Sequence, residues 1–437
     1  MNYTWNPVYN YVMEVKSRFI EATGDSSIEN VLNAGEYESC FHRWLAIVND
    51  SEISKIAVPL CVKQGIRRKN HLQIRYKKYD ELFSMVDFNY NEFWKIRDGF
   101  YKESRTLVID IINGDIVISG FKKFCNIGEN DDDTLVNLVK RIKDNDGQYE
   151  VSEKKDGSLF CASYPFGSSE PVFCTSSCID ASISWRLADA IEMFYKNKGY
   201  LEMLYNNPGM TFIFEYISMK DPHIVVYSKE QEGIYLIGIR NNFTGFEYSY
   251  KVVCTMAHTY GVLTTNVFNK SIDDVMADTK KYKHNELEGY VVKVGQYRCK
   301  IKTEDYVLMH KLSASKFSQN VTIQMFADGK FDDYYASVPM DMRGRVDWVV
   351  EIINEYISLT TKCVEEYTNK CLESNKNGTR KDLMLWCNEN VPSFIRGSVI
   401  NKILGRKIRL MFNGGGGYVK LDEMKNMIDK IKKNLIY

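Results

Sequence analysis

The sequence predicts an α+β protein, with an antiparallel-sheet domain followed by an all-α C-terminal domain. Two patterns lead to this prediction. Short β-branched and aromatic runs separated by turn residues fill residues 104–310. After residue 320 apolar residues recur three and four positions apart, as in VDWVVEIINEYI at 346–357, which is typical of helices packed on one face. The length of 437 residues leaves room for two or three domains.

The composition is that of a folded protein. Hydrophobic residues make up 44% of the chain and charged residues 26%, which excludes disorder along its whole length. Lys plus Arg and Asp plus Glu each number 57, so no overall positive field attracts nucleic acid, although a local basic groove is compatible with this balance. The 11 cysteines are scattered, mostly within apolar runs, and are predicted to be reduced core residues.

No apolar run approaches the roughly 20 residues of a membrane span. The first ten residues, MNYTWNPVYN, also lack the basic and then apolar order of a signal peptide. We therefore expect a soluble, cytoplasmic protein that does not bind a membrane.

Residues 1–70 mix aromatic, polar and basic residues with weak periodicity, and they are predicted to form a partly helical N-terminal leader. Residues 71–335 form the strand-rich domain. Within it Asn113-Gly114-Asp115 and the stretch around Gly295 predict two hairpins, and residues 183–195 predict a helix.

Residues 336–437 are predicted to form the helical C-terminal domain. Four glycines at 414–417 interrupt it, and no Lys-Ser or Lys-Thr pair follows them, so we expect a loop and not a phosphate cradle. The last stretch, 425–433, is rich in lysine within a chain that is neutral overall. This local charge favours contact with a nucleic-acid backbone.

The segment Glu153-Lys154-Lys155-Asp156-Gly157-Ser158 precedes a predicted strand, SLFCASY. A lysine can attack phosphorus only as a free amine, so neighbouring cations and desolvation must lower its pKa. In an extended segment Lys155 points to the opposite face, which makes Lys154 the better nucleophile. By itself the tetrapeptide Lys154-Lys155-Asp156-Gly157 would be interpreted as a surface turn.

An ordered series of charged residues follows this lysine. Phe214-Glu215-Tyr216 lies within a predicted strand, then comes Glu288-Gly289-Tyr290-Val291, and then Lys300-Ile301-Lys302. The two lysines of the last group project from one face of a strand, because side chains there repeat every two residues. Such a series suits covalent nucleotidyl transfer. The lysines can neutralise an α-phosphate and keep Lys154 unprotonated, while the carboxylates hold a ribose hydroxyl and a divalent metal.

These four groups resemble motifs I, III, IV and V of the covalent nucleotidyltransferases, the superfamily of RNA ligases, DNA ligases and mRNA capping enzymes. The finer resemblance is to the RNA ligase 1 family of bacteriophage T4, and it covers roughly residues 100–335. Further similar stretches are Glu103-Ser104-Arg105, Lys123-Phe124-Cys125-Asn126, IVVY at 224–227 and YVLMH at 306–310. One departure is that FCTSS at 173–177 has no lysine where the family carries one after motif I.

The resemblance implies a role for each matched residue. Lys154 would carry AMP, in a turn shaped by Asp156 and Gly157, with Glu288, Lys300 and Lys302 as catalytic partners. The nucleotide contacts it implies are Arg105, Lys123, Glu215 on the ribose, Val291 on adenine, Lys300 and Lys302 on the α-phosphate, and Tyr306 closing the pocket. The metal contacts it implies are Glu288, Asp332 and Asp333, for Mg²⁺ or for Mn²⁺ in its place.

The function expected from the resemblance is that of an ATP-dependent RNA ligase, a monomer that joins 5′-phosphate and 3′-hydroxyl RNA ends through lysyl-AMP. RNA repair, with a cleaved tRNA as candidate substrate, is the implied role. One alternative is a DNA ligase or a capping-type nucleotidyltransferase, which would append a strand-rich OB domain (a small β-barrel) after motif V. The other alternative is a catalytically silent RNA-binding relative.

Overall fold

The structure is a computed structural model. It describes residues 3–23, 72–78, 82–88, 102–103, 105–110, 113–176, 178–179, 181–182, 184–315, 317–376, 378–411 and 420–435. Contacts divide the chain into two units, residues 1–182 with 186–307 and residues 183–185 with 308–437. Helix α1, Pro7–Thr23, lies within the predicted leader, residues 24–71 lie outside the described residues, and the leader as a unit stays a prediction.

The first unit contains three antiparallel sheets of four strands each. The first has the order β1-β2-β3-β4, made of Leu72–Lys78, Leu82–Phe88, Leu107–Asp110 and Asp115–Ser119. The second, with the order β10-β5-β11-β12, is made of Val267–Phe268, Glu150–Lys154, Gly289–Val294 and Tyr297–Lys302. The third, with the order β7-β6-β8-β9, is made of Val172–Thr175, Ser158–Ser163, Met210–Ile217 and Gly233–Asn241.

Five further helices accompany these sheets: α2 Leu135–Asp144, α3 Trp185–Lys196, α4 Lys198–Tyr205, α5 Tyr250–Tyr260 and α6 Ile272–Lys281. Both predicted hairpins are confirmed, β3–β4 turning at Gly114 with φ +73° and β11–β12 at Gly295 with φ +58°. The helix predicted at 183–195 is also confirmed, as α3.

Two separate cores fix the second and third sheets. Behind the third sheet four phenylalanines pack together, Phe160, Phe173, Phe194 and Phe214, with ring centroids 5.0 to 6.2 Å apart. Behind the second sheet buried residues of the strands pack against α2 and α6. The chain passes from the second sheet to the third through the three residues between β5 and β6, which are Lys155, Asp156 and Gly157.

The second unit is helical, which confirms the predicted fold class. Its elements are α7 Glu304–Ser315, which begins in the first unit, α8 Gln319–Ala327, α9 Phe331–Ala336, α10 Met340–Ser374, α11 Arg380–Asn390, α12 Ser393–Ile403 and α13 Leu421–Leu435. An appended OB domain would require strands after Lys302, and the described residues there contain none. The unit begins at residue 308, whereas the domain boundary at 335/336 stays a prediction.

The cysteine prediction agrees with the structure where cysteines are described. The nine described cysteines form no disulfide with one another, and seven of them are buried. In the same parts of the chain, no helix is both long and apolar enough to cross a membrane.

Candidate active site

Three strands of the second sheet align a lysine, a glycine and a second lysine in one row. Gly289 opens β11 and is paired with Lys154, the last residue of β5, and with Lys302, the last residue of β12. Gly289 has φ +150°, and a Cβ on it would lie 2.2 Å from the carbonyl oxygen of Ile301. Only glycine fits here without displacing the backbone, so the sequence Glu288-Gly289 brings its glutamate between the two lysines.

The carboxylate of Glu288 bridges these lysines. Its Oε2 lies 2.7 Å from Lys154 Nζ and its Oε1 lies 2.8 Å from Lys302 Nζ, and Glu288 itself is only 2% exposed. Burial alone would lower the pKa of Lys154, but the negative charges of Glu288 and Glu215 outweigh burial and raise it. The expectation that neighbouring cations keep Lys154 unprotonated is therefore wrong, because a carboxylate and not a cation is its nearest charged group.

A group of cations lies beside this ion pair. The pKa of Lys300 is lowered to about 7 by burial and by the charges of Lys123, Lys154 and Lys302. The pKa of Lys123 is lowered to about 8 by burial and then by Arg105. Segment 125–127 holds this group together, since it forms hydrogen bonds with the backbone of Lys300. Crowded, partly desolvated cations of this kind form a site for phosphate groups.

The side chain of Asp156 holds the turn after Lys154. Its Oδ2 accepts hydrogen bonds from the backbone N–H groups of Ile224 and Val225, both at 2.9 Å. Its Oδ1 accepts one from the hydroxyl of Tyr306 at 2.8 Å. The ring of Tyr306 in turn faces Lys302 Nζ, 4.8 Å from the ring centroid. Asp156 thus connects the lysine turn to the tyrosine beside Lys302.

Gly157 allows Glu215 to reach the same pocket. The backbone N–H of Gly157 donates to Glu215 Oε1 at 3.0 Å, and a Cβ on Gly157 would lie 2.4 Å from the carbonyl oxygen of Tyr216. Burial raises the pKa of Glu215 to about 7, since the negative charge of Glu288 offsets part of the opposing effect of Lys154. Glu215 is therefore a half-buried carboxyl with a pKa close to neutral.

Lys155 is engaged elsewhere. Its Nζ lies 2.8 Å from Glu153 and 4.9 Å from the ring centroid of Tyr235. Lys154, by contrast, contacts the pocket carboxylate Glu288. The geometry supports Lys154 as the nucleophile of the pair.

Of the remaining predicted site residues, Val291 is buried on β11 between Ser152 and Lys300, and its contact with adenine stays a prediction. Asp332 and Asp333 are exposed in the first turn of α9, in the second unit. Across the described residues no group of three acidic, His or Cys side chains could hold a metal ion. The metal role of Glu288, Asp332 and Asp333 stays a prediction.

Sequence reasoning missed three charged residues near the turn. His223 Nδ1 lies 3.3 Å from Asp156 Oδ1, and its Nε2 lies 3.4 Å from Asp221 Oδ2. Arg186 on α3 binds Asp221 through two hydrogen bonds of 2.8 and 3.0 Å. The signal for His223 and Asp221 was Asp-Pro-His directly before the IVVY stretch, but nothing local in the sequence pointed to Arg186.

Comparison with known proteins relates this part of the chain to RNA ligases. Residues 103–315, just under half of the chain, match the family model described as RNA ligase, of the T4 RNA ligase 1 type. A protein of the Autographa californica nuclear polyhedrosis virus, described as a candidate bifunctional polynucleotide kinase/RNA ligase, is 24% identical over 289 residues. Over residues 103–315 the chain is thus similar to RNA ligases of the T4 RNA ligase 1 type.

Solved structures with partial similarity include a Naegleria gruberi RNA ligase with PPi, at 19% identity and a TM-score of 0.32. Variants of that ligase are also similar, one with ATP and Mn at 17% identity and one with AMP and Mn at 18%, both with a TM-score of 0.31. Each of the three similarities covers 40% of this chain and 55% of the solved one. The alignment with the viral relative covers 61% of this chain and 39% of the length of that relative. The chain therefore spans less than two thirds of either protein.

Proposed function

We propose that the chain is an ATP-dependent RNA ligase that joins 5′-phosphate and 3′-hydroxyl RNA ends through lysyl-AMP on Lys154. The observation that carries the proposal is the buried bridge of Glu288 between Lys154 and Lys302, next to the Asp156-Gly157 turn. This arrangement provides a nucleophile, a base and a cation at one point, which nucleotidyl transfer requires.

In the first step the amine of Lys154 attacks the α-phosphorus of ATP. Lys154 must first lose its proton, and Glu288 Oε2 at 2.7 Å is the base within reach. A P–N bond forms, the bond from the α-phosphorus to the bridging oxygen breaks, and pyrophosphate leaves. Lys302 and Lys300 would balance the charge that develops at phosphorus.

The nucleotide would be held by residues of the second and third sheets and of the segments before β3 and after β4. Lys123 and Arg105 extend the cation group and would contact phosphates, while Glu215 would accept a hydrogen bond from a ribose hydroxyl. Val291 would pack on adenine, and Tyr306 would close the pocket.

Two further steps complete the reaction. An oxygen of the RNA 5′-phosphate attacks the α-phosphorus of lysyl-AMP, so the P–N bond breaks and Lys154 regains its amine. The RNA 3′-hydroxyl then attacks the 5′-phosphate, loses its proton to solvent and releases AMP. The bonds made in this sequence are, in turn, a P–N bond to Lys154, a phosphoanhydride between AMP and the RNA 5′-phosphate, and a phosphodiester between the two RNA ends.

Mg²⁺, or Mn²⁺ in its place, would neutralise negative charge on the phosphates. Mg²⁺ commonly binds through substrate phosphates, water and one or two carboxylates. Glu288, a buried acid of the pocket, would be the protein contact of a metal that arrives with ATP. Asp332 and Asp333 would add contacts through water.

The RNA substrate we propose is a cleaved tRNA, in a repair reaction. Support comes from the helical second unit, whose last helix α13 carries the exposed lysines Lys430, Lys432 and Lys433. Lysines along one helix suit a phosphate backbone. The protein would act as a monomer.

The test is a sealing assay with a single-stranded RNA that carries a 5′-phosphate and a 3′-hydroxyl. We expect joined product only with ATP and Mg²⁺, and none when the 5′ end is a hydroxyl. Equal sealing of the matching DNA would favour the DNA ligase alternative, and attachment of GMP from GTP would favour a capping-type enzyme. Absence of both lysyl-AMP and joined product would favour the remaining alternative, a catalytically silent RNA-binding relative.

A further inference from the structure

A chain of alternating charges leads from α3 to the lysine turn. Arg186 binds Asp221 in a fork, through Nε to Oδ2 and through Nη2 to Oδ1. Asp221 also accepts a hydrogen bond from the Ser158 hydroxyl at 2.8 Å. His223 follows, and then Asp156. Both carboxylates are buried, with side chains only 4% and 5% exposed.

His223 lies between these two carboxylates with one ring nitrogen toward each. A neutral imidazole has one N–H and one lone pair, so one of its nitrogens would face a carboxylate without a proton to donate. Only the imidazolium can donate to both. Burial alone would lower the pKa of His223, but Asp156 and Asp221 outweigh burial and raise it to about 10. A third carboxylate, Glu215, interacts with the same ring electrostatically.

The charge on His223 bears directly on the pocket. Asp156 lies two residues after Lys154 and has four contacts: Ile224 N–H, Val225 N–H, the Tyr306 hydroxyl and His223. Of these four groups only His223 carries a full charge. Burial would raise the pKa of Asp156, but His223 outweighs burial and holds it below the usual range. With a neutral group at position 223, the buried Asp156 carboxylate would lose the countercharge in direct contact with it and keep only the more distant charge of Lys154, which is costly.

We propose that His223 is a positioning residue, whose positive charge holds Asp156 in place and thereby fixes the direction in which the turn presents Lys154. The proposal rests on the proposed function, because Lys154 matters as the acceptor of AMP. His223 contacts neither Lys154 nor Glu288. Its effect should therefore be on the rate of AMP attachment and not on ATP affinity, since small misplacement of a nucleophile costs about 10²-fold.

The first test compares three full-length variants. His223→Gln removes the charge at similar size and should lower the rate of lysyl-AMP formation by about 10²-fold, with the KM for ATP changed little. His223→Arg restores a permanent charge and should recover most of the rate. His258→Gln, at an exposed position on α5, is the control and should match the wild type. Equal rates for His223→Gln and His258→Gln would overturn the proposal. So would a folded His223→Arg variant as slow as His223→Gln.

The second test does not depend on ligase activity. Ring-nitrogen NMR of the full-length wild-type chain reports the protonation of each histidine, and the signal missing from the His223→Arg variant is assigned to His223. We expect the His223 ring to keep both of its N–H protons at pH 8.5, well above the ordinary histidine pKa of about 6.5. A ring that loses one of these protons near pH 6.5 overturns the proposal even if the enzyme seals RNA. A retained charge in a chain that forms no lysyl-AMP would instead place the failure in the proposed function. If His223→Gln does not fold, this titration and the His223→Arg rate decide the question.

Discussion

Lys154 Nζ lies 2.7 Å from Oε2 of the buried Glu288 carboxylate, with which it forms an ion pair. The pair keeps Lys154 charged, because Glu288 raises the pKa of this lysine against the effect of burial. The amine becomes available only when the proton passes to Glu288 or when Glu288 is drawn toward other positive charge. The account of catalysis depends on this relationship.

The first prediction concerns that pair. Glu288→Gln removes the negative charge, so burial and the remaining cations should lower the pKa of Lys154. The rise of AMP attachment with pH should then occur at lower pH than in the wild type, while the maximal rate falls by at least about 10²-fold because the base is lost. The measurement is the pH profile of lysyl-AMP formation under single-turnover conditions. An unchanged profile would contradict the assignment of Glu288.

Lys302 allows a second test, with stability as the control. Lys302→Ala should slow sealing by about 10² to 10³-fold, the usual cost of removing one group that stabilises charge at the reacting centre. Lys302 is half-buried and fills no core, so the melting temperature should change by only a few degrees. Lys280→Ala, an exposed lysine on α6, should leave both quantities unchanged. A loss of stability typical of a core cavity would mean that Lys302 is structural.

The cation group should couple ATP binding to proton uptake. Lys300 has a pKa of about 7 and Lys123 of about 8, and bound phosphates would raise both. At pH 8 binding should therefore take up protons, and the affinity for an ATP analogue that cannot transfer AMP should fall as pH rises from 6 to 9. Titration calorimetry in two buffers of different ionisation enthalpy measures the uptake. Lys300→Arg should flatten the pH dependence, and equal slopes in both proteins would contradict this account.

Gly289 should be sensitive to a single methyl group. Gly289→Ala would bring a Cβ within 2.2 Å of a carbonyl oxygen at φ +150°, so we expect a loss of about 3 kcal/mol and little lysyl-AMP. The matched control is Gly261→Ala, where φ is +63° and nothing lies within 4 Å of the added Cβ. That variant should lose only about 1 kcal/mol and keep its activity. Urea unfolding compares the two, and equal losses would refute the steric argument.

The lysines of α13 should affect structured RNA most. Reversing two exposed charges, Lys430→Glu with Lys433→Glu, should reduce sealing of a nicked tRNA several-fold more than sealing of a short unstructured RNA. Lys362→Glu, an exposed lysine on α10, is the control. AMP attachment should be unaffected in all variants. An equal loss on both RNAs would argue against a tRNA role for this helix.

Much of the fold was predictable because its signals are local. Alternating β-branched residues, the turn glycines Gly114 and Gly295 and the helical periodicity after residue 320 each depend on neighbours in sequence. The order of Lys154, Glu215, Glu288 and Lys302 likewise predicted which residues meet. The charge state of Lys154 was not predictable, because it depends on how closely the Glu288 carboxylate approaches the amine, and this distance is set by the pairing of β5 with β11. Arg186 was missed for a similar reason, since 35 residues separate it from Asp221.

The central claim is that Lys154 carries AMP, and intact-mass analysis followed by peptide mapping tests it most directly. The full-length protein is incubated with ATP and Mg²⁺, beside Lys154→Ala and the His258→Gln control. We predict that the wild type and the control gain the mass of one AMP, mapped to Lys154, and that Lys154→Ala gains none. An adduct of equal yield in Lys154→Ala, mapped to Lys155, or the absence of any adduct in the wild type would contradict the account.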